Sequence, residues 1–157
     1  LGTQEKAQSD FTEAHRIIDT NFTGVVSVCE LLAAEFESVK KGNIAVISSV
    51  AGDRGRQSNY MYGSSKGGLT VYLSGLRNRL FKSGVNVLTI KPGFVNTPMT
   101  YGMPLPKPLV ASPEKVGKDI YKAMIKRKSV IYTPFFWRWI MLIITSIPEF
   151  MFKKLKL

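Results

Sequence analysis

Apolar residues near the start of the chain recur every three or four positions: Phe11, Ala14, Ile18, Phe22, Val25, Cys29, Leu32 and Phe36. That period places them on one face of a helix. Ser9 or Asp10 can cap its start, and Lys40, Lys41 and Gly42 end it, so a helix is predicted over 9–40. Residues 1–8 are polar and read as loop. Asn21 and Gly24 are poor helix formers in mid-helix and predict a local distortion.

The period then changes. In Asn43–Val50, Ile44, Val46 and Ile47 are too continuous for a half-exposed strand, so a buried parallel strand is predicted over 43–50. A second helical stripe runs Tyr62, Lys66, Leu69, Leu73, Leu76 and Leu80, predicting a helix over 59–82. Gly63, Gly67, Gly68, Val71 and Gly75 form a small-residue region suited to close packing, within the chain or against a second copy. Gly84 ends that helix, and 85–91 reads as another buried strand. Residues 98–112 are rich in Pro and Met, as suits an apolar lid over a substrate or an irregular linker. Ser112-Pro113-Glu114 starts a helix over 113–128, with Val116, Ile120, Ala123 and Met124 on its apolar side. A short strand follows at 129–133. Helices alternating with buried strands define an α/β fold with a parallel sheet.

The end of the chain breaks the pattern. Pro134–Ile147 is apolar almost all round and carries both tryptophans; it reaches Pro148 and finishes Lys153-Lys154-Leu155-Lys156-Leu157. About 14 such residues are too few to span a bilayer, which needs roughly 20. Aromatics beside a cationic end suit an apolar helix lying at an anionic membrane surface. Burial in an interface between subunits is the competing reading.

At 157 residues the chain is sized for a single core. The one cysteine, Cys29, excludes an internal disulfide and sits on an apolar helix face, so it reads as core. The lone His15 has no clustered partner, and no metal site is expected. The net charge of +11 calls for an acidic partner. It is concentrated in residues 113–157, which carry 10 of the 22 basic and 3 of the 11 acidic residues. Nucleic acid ranks last among such partners, because the basic residues are not interleaved with aromatics on a readable face.

The chemistry centres on Tyr62-Gly63-Ser64-Ser65-Lys66. Tyrosine and lysine four apart share a helix face. A lysine ammonium beside a phenol favours phenolate and lowers its pKa from about 10 toward neutrality, which would let the tyrosine exchange a proton with a substrate oxygen. Tyr60 has no lysine four residues on and is set aside. Ser49 lies 13 positions before Tyr62, at the carboxyl end of a predicted strand, where open α/β sheets place their ligands. Ser48 is the expected cap of the turn that follows. Gly52-Asp53-Arg54-Gly55-Arg56 reads as a solvated loop.

Asn21 in T-N-F-T-G, Ser49 in I-S-S-V-A-G, the Tyr62–Lys66 pentapeptide and K-P-G-F-V-N-T-P at 91–98 come in a fixed order. Together they resemble the short-chain dehydrogenase/reductase family, up to about residue 133. The resemblance implies a partial doubly wound Rossmann-type fold and an NAD(P)-dependent oxidoreductase interconverting a ketone and a secondary alcohol. By the same resemblance Ser49 orients the carbonyl, Tyr62 gives the proton, Lys66 tunes Tyr62 and binds the nicotinamide ribose, and Asn21 holds a relay water. Tyr62, Lys66, Pro92, Gly93, Val95 and Thr97 would contact the cofactor, NAD or NADP. It also implies a homodimer or tetramer. The tail resembles that of reductases acting on lipid-linked or apolar carbonyl compounds, so the expected location is cytoplasmic and peripheral at the inner membrane face.

One departure is plain. No T-G-x-x-x-G-x-G turn occurs in the sequence, and that loop carries the cofactor pyrophosphate at a helix N-terminus. Residues 1–133 are therefore expected to be the catalytic half of such a domain, with 134–157 a tail. Alone, the 157 residues are expected to bind cofactor poorly and not to turn over. The alternative function is that of an inactive fragment serving as a membrane-surface or interaction module.

Overall fold

The computed structural model describes residues 2–156. The predicted first helix is longer and more broken than its stripe suggests. Residues 4–9 are not loop: Gln4–Ser9 form a helix, α1, capped by the Thr3 hydroxyl, which accepts from Lys6 N. Asp10 breaks the run with an extended backbone and caps α2, Phe11–Ile18, by accepting from Thr12 N. A π-helical turn over Asp19–Thr23 is the distortion expected at Asn21. The helix resumes as α3, Gly24–Ser38, and Lys40 takes a left-handed φ of 52° beyond its end. The π turn shifts the helical phase. Glu13, Ala14, Ile17, Asn21, Cys29 and Ala33 therefore point inward, while Phe11 and Leu32 from the expected stripe are exposed.

β1 spans Asn43–Ile47, β2 Asn86–Pro92 and β5 Val130–Thr133. They form a parallel sheet in the order β1-β2-β5, with Ile44 opposite Val87 and Ile90 opposite Ile131. β2 is central and buried throughout. β1 is not buried on both faces as its composition suggests: Ile44 and Val46 are buried, whereas Asn43, Ala45 and Ile47 are exposed. Among the described residues, helices cover the face of β1 that carries Ile44 and Val46. Two short strands, β3 (Phe94–Val95) and β4 (Val110–Ala111), pair in parallel beyond the main sheet, so part of 98–112 is anchored.

The second long helix, α4, runs Tyr60–Leu80. Its stripe of Lys66, Leu69, Leu73, Leu76 and Leu80 is buried as expected and packs with Ile44, Val46 and Val87. Each buried leucine contributes roughly 1.5–3 kcal/mol. Gly84, at φ 70°, turns the chain back into β2. α5, Pro113–Ile125, covers the other face, where Ala123 meets Leu88 and Ile90.

Two corrections concern the loop after β1 and the tail. Arg54 is not solvated. Its guanidinium donates to the carbonyls of Ile144, Thr145 and Ile147, pairs with Glu149 at 2.9 Å and stacks on Phe152 at 3.7 Å. It thereby caps α6, Trp137–Ser146, and holds α7, Glu149–Phe152, against the body. The inner side of α6 is core, with Trp137 and Met141 buried on Val50.

The small residues of α4 are largely consumed within the chain. A Cβ on Gly52 would lie 2.6 Å from Gly67 N, and one on Gly63 2.9 Å from Ala51 O. The 3-10 turn Val50–Gly52 thus rests directly on the α4 backbone. Gly55 has open space where a Cβ would stand. Gly52→Ala is therefore expected to cost about 1–3 kcal/mol and Gly55→Ala close to nothing. Urea unfolding of the two variants, side by side, checks this.

Candidate active site

β1 ends at Ile47, and the chain leaves the sheet at its carboxyl end through Ser48 and Ser49. Ser49, not Ser48, caps the turn that follows the strand. Ser48 is buried; its hydroxyl donates to Lys66 O at 2.9 Å and accepts from Thr70 at 2.8 Å. Ser49 is the cap, its Oγ accepting from Ala51 N at 3.1 Å. Ser48 thus ties β1 to α4, while Ser49 stands half-buried above the turn.

Across that junction α4 presents Tyr62 and Lys66. Lys66 is 8% exposed, and its Nζ lies 5.7 Å from the Tyr62 ring centre. The ammonium donates to Ile47 O at 3.1 Å, which fixes it to the strand end; among the described residues its other two hydrogens have no protein partner. Burial lowers its pKa. The Tyr62 phenol differs from the expectation that a lysine pulls it toward neutrality. Burial raises its pKa, and the neighbouring Ser49 hydroxyl acts in the opposite, lowering direction. Burial is the larger of these two effects. The phenol therefore holds its proton at neutral pH, the state a proton donor needs.

Asn21 is buried at the π turn and donates from Nδ2 to Ile17 O at 2.9 Å. Its placement comes from the local widening of the helix. The remaining expected contacts lie at the end of β2. Pro92 is buried, Gly93 N donates to Thr133 O at 3.1 Å, Val95 lies in β3, and Thr97 caps a 3-10 turn with Thr100. A Cβ on Gly93 would lie 1.9 Å from the Trp137 ring. Glycine is needed there because the tail helix packs directly on the backbone.

Sequence reasoning missed two features. Trp137 forms a wall beside the strand ends, packed edge-on to Phe94 at 5.1 Å. A buried ion pair, Lys91 with Asp53, takes a further hydrogen bond from the Tyr132 hydroxyl at 2.8 Å. The signal available was an acid in the loop and a lysine inside an apolar strand, which must find each other if both are buried. That pair holds the loop after Ser49 against β2 and β5.

Ser49 at the carboxyl end of β1 thus stands beside Tyr62 and Lys66 of α4 in an α/β fold with a parallel sheet. The nicotinamide end of a cofactor fits these residues, since the Lys66 ammonium has hydrogens to give. The pyrophosphate end has no glycine-rich loop within this sequence. The short chain dehydrogenase family model matches residues 2–105. The chain belongs to this family, which uses NAD or NADP. An uncharacterized oxidoreductase of Mycobacterium tuberculosis is 37% identical over 99% of this chain and 62% of its own. The ketoacyl reductase HetN of a Nostoc species is 32% identical over 78% of this chain and 44% of its own. A short-chain dehydrogenase from Sphingobium yanoikuyae, solved in complex with NADPH, superposes with a TM-score of 0.74 at 22% identity, covering 91% of this chain and 60% of that one. The chain thus spans about three-fifths of the length of the first relatives it matches.

Because burial lowers the Lys66 pKa, the unfolded chain binds that proton more tightly than the folded one. Stability then rises with pH between the lowered value and the ordinary 10.5. The stability of the wild type relative to Lys66→Met is expected to increase as pH climbs from neutral through that window. Urea unfolding across the pH series measures it, and a flat difference would contradict the assigned environment.

Proposed function

We propose that the protein is an NAD(P)-dependent oxidoreductase that interconverts a ketone and a secondary alcohol. The observation that carries this reading is the placement of Tyr62 and Lys66 on the inward face of α4, with Ser49 beside the phenol. A Tyr–Lys pair on an outer helix face would have no such neighbour.

When bound, the nicotinamide supplies hydride to the carbonyl carbon. The chain's own groups handle the oxygen. Ser49 donates a hydrogen bond that orients it, and Tyr62 delivers a proton as it gains charge. Lys66, held by Ile47 O, offers its remaining hydrogens to the cofactor ribose and stabilises the phenolate left behind. Asn21 holds the water through which the proton is restored. Pro92, Gly93, Val95 and Thr97 frame the nicotinamide side. In the reverse direction the same groups take the alcohol proton. The family's cofactor use and the NADPH in the Sphingobium structure support this assignment.

The substrate we propose is an apolar or lipid-linked carbonyl compound, because the segment that follows Thr97 exposes Met99, Tyr101 and Met103. Two copies would pair through α3 and α4, whose Val28, Leu31 and Val71 stand in solvent. The expected location is the cytoplasm.

Carbonyl reduction by the full-length protein is expected to fall about 10²- to 10⁴-fold in Tyr62→Phe, with the fold retained by circular dichroism. Reduction at the wild-type rate would overturn the assignment. So would a full-length wild type that reduces no carbonyl compound with either NADH or NADPH.

A further inference from the structure

We infer that the outer face of α6 and α7 docks on an anionic lipid surface. The proposal goes beyond the reaction above and does not rest on it. The tail has two faces. Trp137, Ile140, Met141 and Ile144 turn inward onto Val50, Phe94 and Tyr132. Opposite them, Phe135, Trp139, Leu142 and Ile143 share a face and stand in solvent, Trp139 at 54% and Ile143 at 67% exposure. Phe150 and Met151 on α7 are likewise exposed. A contiguous apolar patch of this kind on a rigid support marks an interaction surface. The support is rigid because Arg54 secures the end of α6 and the start of α7 through their carbonyls and Glu149.

Charge selects the occupant. The patch is bordered by Arg138, Lys153, Lys154 and Lys156, all exposed. The only acidic residue in 134–157 is Glu149, already paired with Arg54. Nearby α5 adds Lys122 and Lys115, the latter paired with Asp119. A second copy laid on this face would set like charges against each other. An anionic bilayer instead takes the aromatics at its headgroup level and the ammonium groups at its phosphates.

The test is co-sedimentation of the full-length protein with phosphatidylcholine vesicles, with and without phosphatidylglycerol. Binding is expected only to the phosphatidylglycerol vesicles, and it should weaken with salt. The triple variant Lys153→Glu, Lys154→Glu, Lys156→Glu, which removes no packed side chain, is expected to weaken it by an order of magnitude or more. The outer-face variant Trp139→Ser with Ile143→Ser should weaken it similarly, whereas Tyr62→Phe should bind as the wild type does. Absence of vesicle binding, or equal binding by the triple variant, overturns the proposal. Light scattering showing that the outer-face variant halves the particle mass also overturns it, since the face would then join two copies.

Discussion

The structure depends on a single close approach, that of the Val50–Gly52 turn to the backbone of α4. Gly52, Gly63 and Gly67 make it possible, because any side chain at these positions would meet main-chain atoms of the other element. Ser48 bonds across the same junction to Lys66 O. The consequence is that a hydroxyl leaving the sheet and a phenol and ammonium on a helix share one rigid frame. Such groups must be held to fractions of an ångström to act together. Packing of backbone on backbone supplies that precision without relying on long, flexible side chains.

The long helices and the three sheet strands were legible from apolar period alone, because each buries one continuous stripe or run. The burial of Leu69, Leu73, Leu76 and Leu80 followed from spacing. What was not legible depends on partners distant in sequence. The phase of the first helix changes at the π turn, so Ala33 replaces Leu32 in the core. Ile47 is exposed while Ile44 and Val46 are buried, because the cover of a strand face comes from elements distant in sequence. Arg54 looks like any loop arginine until the carbonyls of Ile144, Thr145 and Ile147 are brought to it.

At the site, positions were readable and environments were not. The Tyr62–Lys66 spacing places both groups on one face, as the helix requires. The direction of the phenol's shift follows from burial, with the Ser49 hydroxyl acting against it, and both are tertiary facts. Lys66 also illustrates a tension common at sites of chemistry: its charge is held where solvent is scarce, so the arrangement costs stability that the leucine stripe beneath it offsets.

Arg54 joins the loop that carries Ser49 to the last two helices, and α6 rests on Gly93 at the end of β2. The carboxyl-terminal segment is therefore packed into the same body as the sheet and α4. A single guanidinium thus ties the last two helices to the loop beyond Ser49, so the chain's end and its middle are held by one side chain.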